Sequence, residues 1–250
     1  MSSQPFLWPV IGKSLSLGDG DVHVFSWGLD SPPTPTEWKT LSEEESRRAQ
    51  RFVFPRDRDR YVRAHATMRI VLAGYSGLPP GEIPFVDNAY GKPRIDTRKN
   101  PQSLRFNLSH SAGIAVLAVA REYELGVDVE ILRPIGPDIA EHNFSARELS
   151  GLLTLAREEE LLGFYRCWTS KEALLKGEGC GLNLPLDSFD VEVDPQRPAA
   201  LLDSRPPDRF ASGWLLFDLQ PAHNTVATLA VHDKRQRITA DSIHCFSLTP

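Results

Sequence analysis

Cysteine is scarce in this 250-residue chain, methionine is scarcer, and a long apolar run is absent altogether. The three cysteines, Cys167, Cys180 and Cys245, are odd in number and have no metal-type spacing. They read as reduced, largely buried thiols, which excludes a disulfide-stapled scaffold. No stretch approaches the roughly 18 apolar residues of a membrane span, and the opening MSSQPFLWPVIG has neither the charged start nor the apolar run of a signal peptide. A cytosolic protein with no membrane partner is expected. Basic excess is missing too. The formal charge is −5, so the whole-molecule field does not favour a nucleic-acid partner, and any anion site must be a local cluster.

What is present is enough chain for one large domain or two of ordinary size. Residues up to Gly20 read as a loosely held lead-in, Val22 to Trp27 as a strand and SPPTPTE as a proline-rich loop. Ser42 with Glu45 forms a capping box that opens a helix towards Phe52. A second helix is expected over Asp57–Ser76, with Tyr61, Ala64, Met68, Val71 and Tyr75 inward and Gly77 as its stop. Between Arg47 and Arg69 stand eight arginines against two aspartates. Most such runs are solvated surface, but as a group these guanidinium groups suit a phosphate-rich ligand. RNA is the poorer fit, because aromatic interleaving is limited to Phe52, Phe54 and Tyr61.

Further strands are expected at 104–111, 114–120, 125–132, 189–194, 214–219, 225–232 and 243–248, giving an α+β class with a boundary near residues 122–125. In LGVDVEIL, strict alternation turns Val127, Val129 and Ile131 one way and Asp128 and Glu130 the other. Carboxylates two apart on a strand lie roughly 7 Å apart at the backbone and can reach one ion, and oxygen ligands suit Mg²⁺. The signal is weak, since Asp190, Glu192 and Asp194 repeat it with no reason to be a site. Ser145 with Glu148 makes another capping box, stapled by Phe144 and Leu149.

The stretch FYRCWTSKEALLKGEGCGL, 164–182, reads as a helix with a glycine-rich exit. Leu161, Phe164, Tyr165, Trp168 and Leu175 share one stripe at helical spacing, and Glu172 falls on it, flanked by Lys171 and Lys176. A carboxylate on an apolar stripe must find a cation, a proton or donors, unless Glu172 and Lys176 are simply an i,i+4 surface pair. The glycines at 177, 179 and 181 follow a helix C-terminus, whose outward carbonyls exclude a dinucleotide loop.

Four ordered stretches, YGKP (90–93), FNLSHS (106–111), GVDVE (126–130) and WTSKEALLKGEGCGL (168–182), together resemble the larger, Sfp-type 4′-phosphopantetheinyl transferases. The likeness continues through 41–61 and 184–193. It implies a pseudo-symmetric monomer of two similar α/β subdomains, 1–124 on the nucleotide side of coenzyme A and 125–250 with the magnesium and catalytic residues, and a site in the cleft between them. It implies Mg²⁺-dependent transfer of phosphopantetheine from coenzyme A to a serine of an apo acyl or peptidyl carrier protein, as in fatty-acid, polyketide or nonribosomal peptide synthesis, releasing adenosine 3′,5′-bisphosphate. By motif, Asp128, Glu130 and Glu172 are implied metal ligands, with Glu172 also the base for the carrier serine. Lys176 is an implied phosphate contact and catalytic residue, and Lys171 a weaker phosphate contact. Arg48, Lys92, Ser109 and His110 complete the implied coenzyme A site. Glu45 departs from the pattern, being acidic where the family can place a base, which shifts that contact to a neighbour such as Arg47. A magnesium-dependent phosphate hydrolase and a non-catalytic carrier-binding module are the alternatives.

Overall fold

The computed structural model describes residues 4–6 and 15–248 apart from 137, 182, 183, 207–209 and 211. Most of the lead-in, and Leu182 at the end of the 168–182 motif, therefore lie outside the described residues.

After a short strand β1 (Gln4–Phe6), the chain runs twice through the same order of elements. The first pass is β2 (Val22–Gly28), α1 (Pro35–Thr40), α2 (Glu43–Ala49), α3 (Pro55–Ser76), the paired β3 (Phe85–Asp87) and β4 (Pro93–Ile95), and the hairpin β5 (Leu104–Ser111) and β6 (Ile114–Arg121). The second is β7 (Leu125–Ile131), α4 (Asp138–Asn143), α5 (Ala146–Leu152), α6 (Glu160–Glu178), the paired β8 (Phe189–Val191) and β9 (Leu201–Ser204), and the hairpin β10 (Trp214–Leu219) and β11 (Thr225–His232). In both passes the last strand pairs between the first and the penultimate: β2-β6-β5 and β7-β11-β10. This is the pseudo-symmetric α+β architecture expected from the resemblance.

The final strand, β12 (Ile243–Leu248), departs from a division at residue 125. It crosses back and pairs parallel with β2, so the N-terminal sheet reads β1-β12-β2-β6-β5. Two other readings are corrected. The proline-rich loop holds α1, because Thr34 forms a capping box with Glu37 and Pro35 occupies the first helical position, where its missing N–H costs nothing. The lead-in is not loose at its end, since Leu17 is buried and Leu15 packs on the same core.

Alternation within the strands explains the layering. On β6, Ala115, Leu117 and Val119 face α3, whereas Val116, Ala118 and Ala120 face the second sheet. The strand is buried on both sides, which is why it reads as one continuous apolar run. Val127 and Val129 of β7 meet that inter-sheet core as the alternation predicts, turning Asp128 and Glu130 towards α6. The order is therefore α3, sheet, sheet, α6, with apolar contacts joining the two halves.

Candidate active site

Edge strands β5 and β7 run side by side, but side chains rather than backbone pairs join them. Asn107 Oδ1 accepts from Val127 N at 2.8 Å, Ser109 Oγ donates to Asp128 at 2.9 Å and Ser111 Oγ donates to Glu130 at 2.6 Å. Alternate residues of FNLSHS thus hold GVDVE in register. α6 closes down on the same place. A Cβ on Gly126 would overlap Ala173 O and Gly177 N, and one on Gly177 would overlap Trp214. These two motif glycines let helix and strand approach closely enough for Lys176 to reach Asp128.

Asp128 is only 4 % exposed. Its Oδ1 accepts from Lys176 Nζ at 2.5 Å as well as from Ser109, while Oδ2 is buried without a hydrogen-bond partner among the described residues. Burial pushes this carboxyl above its ordinary value, with Lys176 and Ser109 pulling the other way. Glu172 is half-buried and makes no hydrogen bond or salt bridge among the described residues. Burial raises its affinity for a proton, the neighbouring Asp128 charge adds to that, and Lys176 opposes it. The i,i+4 surface pair is thereby overturned: Lys176 reaches across to β7 instead of pairing with Glu172. Among the described residues no three carboxylates, imidazoles or thiols converge tightly enough to hold a metal as they stand. The ammonium of Lys176 takes one oxygen of Asp128, and the hydroxyl of Ser111 takes one of Glu130.

Two adjoining cavities flank this cluster. The larger, about 750 Å³, is lined on the N-terminal side by Arg47, Arg48, Tyr61, His65, Arg69 and His110. The smaller, about 230 Å³, is lined by Tyr90, Leu108, Glu172, Leu175 and Lys176. They share Gly91, Pro93, Asn107 and Leu108.

Residues 124–236 match the profile of the 4′-phosphopantetheinyl transferase superfamily, and residues 30–122 match that of the 4′-phosphopantetheinyl transferase N-terminal domain. The chain is 36% identical to the 4′-phosphopantetheinyl transferase HetI of Nostoc sp. over 90% of its own length and 93% of that protein. It is 33% identical to the 4′-phosphopantetheinyl transferase Sfp of Bacillus subtilis over 80% and 92%. The chain belongs to the 4′-phosphopantetheinyl transferases. The crystal structure of Thermotoga maritima holo-[acyl-carrier-protein] synthase matches only 45% of this chain and 64% of that one, with a TM-score of 0.36 and 22% identity, too partial to carry argument.

Within this transferase the sequence-predicted residues separate into those at the cleft and those elsewhere. Asp128, Ser109 and Lys176 meet directly, Glu172 and Glu130 lie beside them, and Arg48 and His110 border the larger cavity. The His110 imidazole is held below its ordinary value, first by desolvation between the cleft walls and then by His65, Lys176, Arg48 and Arg60. Lys171 is a correction. It is fully buried on another face of α6, donating to Leu186 O and Phe189 O at 2.6 Å each and pairing with Glu148 at 2.8 Å. All three of its donors are filled away from the cleft. Lys92 lines the smaller cavity, and its ammonium donates to Leu125 O and Gly177 O and lies 3.4 Å from Glu124, so it also ties the YGKP turn to β7 and to the end of α6.

Five of the eight arginines, Arg56, Arg58, Arg60, Arg63 and Arg69, are neutralised by carboxylates. Arg47, Arg48 and Arg51 have no carboxylate partner among the described residues and line a basic hollow at the end of α2. Glu45 caps α2 and pairs with Arg69 at 2.6 Å. Burial alone would raise Glu45, but His65, the Ser42 N–H and Arg69 overcome it and bring the carboxyl down to about 2. The repeated acids behave as the control implied, for Asp190 is held by Arg205 at 2.7 Å. Sequence reasoning missed Asn107 as a register pin and His65 as a cavity residue. A spacing of four from Tyr61 to His65 was the available signal for the second.

Proposed function

We propose that this transferase moves the 4′-phosphopantetheine group of coenzyme A onto a serine hydroxyl of an apo acyl or peptidyl carrier protein, releasing adenosine 3′,5′-bisphosphate. The observation that carries the reading is Asp128, buried against Lys176 with one oxygen unpartnered among the described residues, behind a small cavity lined by Lys176 and Glu172 that adjoins a basic one. Residues 1–124 supply the nucleotide side, where Arg48, His110 and neighbours line a cavity rich in phosphate-matching donors. Residues 125–250 supply the carboxylates.

The residues present fit a magnesium ion. The orphaned Asp128 oxygen and two carboxyls raised in proton affinity mark a place with unneutralised negative charge, and hard oxygen donors suit this metal. Asp128, Glu130 and Glu172 would hold it, and it would supply charge neutralisation on the diphosphate of coenzyme A. Lys176, already at the cluster, stabilises charge on the departing phosphate. Glu172, free of hydrogen bonds and raised in basicity, accepts the proton of the carrier serine as its oxygen attacks phosphorus. Ser109 and Asn107 hold β7 so that these groups keep their places. We infer a monomer working in the cytosol.

The test is intact-mass measurement of a panel of apo carriers incubated with the protein, coenzyme A and Mg²⁺. Each accepted carrier should gain one phosphopantetheine. Hydrolysis of coenzyme A with every carrier unmodified would make the protein a hydrolase instead.

A further inference from the structure

His65 belongs to none of the motifs that carry the family likeness, yet it stands in the wall of the larger cavity. It lies one helical turn after Tyr61 on α3, and the two rings face each other with centroids 4.1 Å apart and planes at 31°. Its Nδ1 is buried, 3.4 Å from Glu45 Oε1, at ion-pair range without hydrogen-bond alignment. The other ring nitrogen, Nε2, has no hydrogen-bond partner among the described residues. With a carboxylate beside one nitrogen, an imidazole in a cavity wall has its second nitrogen left to donate to an anion.

We propose that His65, backed by Glu45 and packed on Tyr61, is a further phosphate-binding residue of the nucleotide cavity, taking a phosphate monoester or diester oxygen through Nε2. The inference rests on the coenzyme A reading and deepens it. It also accounts for the acidic residue at position 45. Where the family pattern allows a base, this chain carries Glu45, with the His65 ring 3.4 Å from its carboxylate. Glu45 stays ionised at neutral pH because its carboxyl is held at about 2. The charged and titratable groups lining the cavity with this ring are Glu43, Glu44, Glu45, Arg47 and Arg48 from α2, Tyr61 and Arg69 from α3, Asp87 from β3, and His110 from β5. Arg69 is already committed to Glu45 and to the carbonyls of Pro80 and Ile83, so it does not compete for the same anion.

A fixed arginine binds phosphate at every pH, whereas an imidazole does so only while protonated. The share of nucleotide binding that His65 supplies, read as the difference between parent and His65→Gln, should therefore grow as pH falls from 8 to 6. The probe is adenosine 3′,5′-bisphosphate, whose binding needs no carrier, metal or turnover, measured by calorimetry at pH 6, 7 and 8. Adenosine serves as the phosphate-free control. All variants are made in a His110→Gln background, so that the second imidazole of the cavity does not contribute to the pH profile, and each is checked by thermal melting. His65→Gln should weaken the bisphosphate roughly tenfold at pH 6 and progressively less at pH 8, with adenosine unchanged. His65→Lys should hold the affinity and flatten the profile. Unchanged bisphosphate binding in His65→Gln, or equal losses for bisphosphate and adenosine, would overturn the proposal. A parent protein that binds no bisphosphate at all would overturn the coenzyme A reading with it, which separates the two failures.

Discussion

The helices α3 and α6 occupy equivalent places in the two halves, and each carries an aromatic, a titratable group and a cation at successive turns. On α3 these are Tyr61, His65 and Arg69; on α6 they are Trp168, Glu172 and Lys176. Both cations are anchored by a buried or half-buried carboxylate, Arg69 by Glu45 and Lys176 by Asp128. The anchors differ in kind. Glu45 belongs to the adjoining helix of the same half, has Arg69, His65 and a backbone N–H to satisfy it, and is held far below the ordinary carboxylate range. Asp128 has one cation for two oxygens and is pushed up. One wall is electrostatically complete; the other is not. The complete wall suits holding fixed phosphates, and the incomplete one suits admitting a further cation where charge moves during reaction.

The largest expected effect breaks this contrast on the α6 side. Glu172→Gln keeps the shape and removes the proposed base, and should lower kcat for carrier modification about 10²- to 10⁴-fold while leaving the melting temperature near that of the parent. Full activity would remove Glu172 from the chemistry. Next comes the neighbouring lysine. Lys171→Met leaves Glu148 buried without its cation, and should cost about 3–5 kcal/mol in urea unfolding. It should leave the KM for coenzyme A unchanged in the protein that folds. A rise in KM with stability intact would return Lys171 to the cleft.

A third test concerns the complete wall. Glu45 is depressed in the folded protein, so its stabilisation is present above the unfolded carboxylate value and is lost as pH falls towards about 2. The contribution is on the order of 3 kcal/mol. In unfolding measured from pH 6 to pH 2, the gap between parent and Glu45→Gln should close through that window. A gap independent of pH would show that shape, rather than charge, is what Glu45 provides. The smallest effect is selective. His110→Ala should lower kcat/KM for coenzyme A roughly 10- to 150-fold and leave dephospho-coenzyme A nearly unchanged. Equal losses on both would make His110 a packed strand-end residue.

The local chemistry of several elements was legible before any coordinates. The capping boxes at Ser42–Glu45 and Ser145–Glu148 are both formed. The inward face of α3 is buried at Tyr61, Ala64, Met68, Val71 and Tyr75, and Gly77 closes that helix in the left-handed region. The α6 stripe was legible only in part. That helix buries residues on nearly every side, including Arg166, Thr169, Ser170 and Lys171, and borders the cleft through Glu172, Leu175 and Lys176, while Trp168 packs on Phe144 and Phe164.

By itself the sequence determined the caps, the apolar run of β6, the alternation of β7, the inward or outward sense of Asp128 and Glu130, and the family. The structural features follow from spacing along a chain of known periodicity, which is local information, whereas the family follows from the resemblance of four ordered motifs. Tertiary structure alone decided that Lys176 serves Asp128 while Lys171 serves Glu148, although both lysines lie on one helix. It also decided that Lys92 ties a turn to two carbonyls, that β12 returns to the first sheet and that His65 stands behind Glu45. The physical reason is that a long cationic side chain takes whichever acceptor lies within reach. That acceptor is set by strands and helices brought together from distant parts of the chain, here by the close approach of Gly126 to Gly177 and by the side-chain seam between β5 and β7.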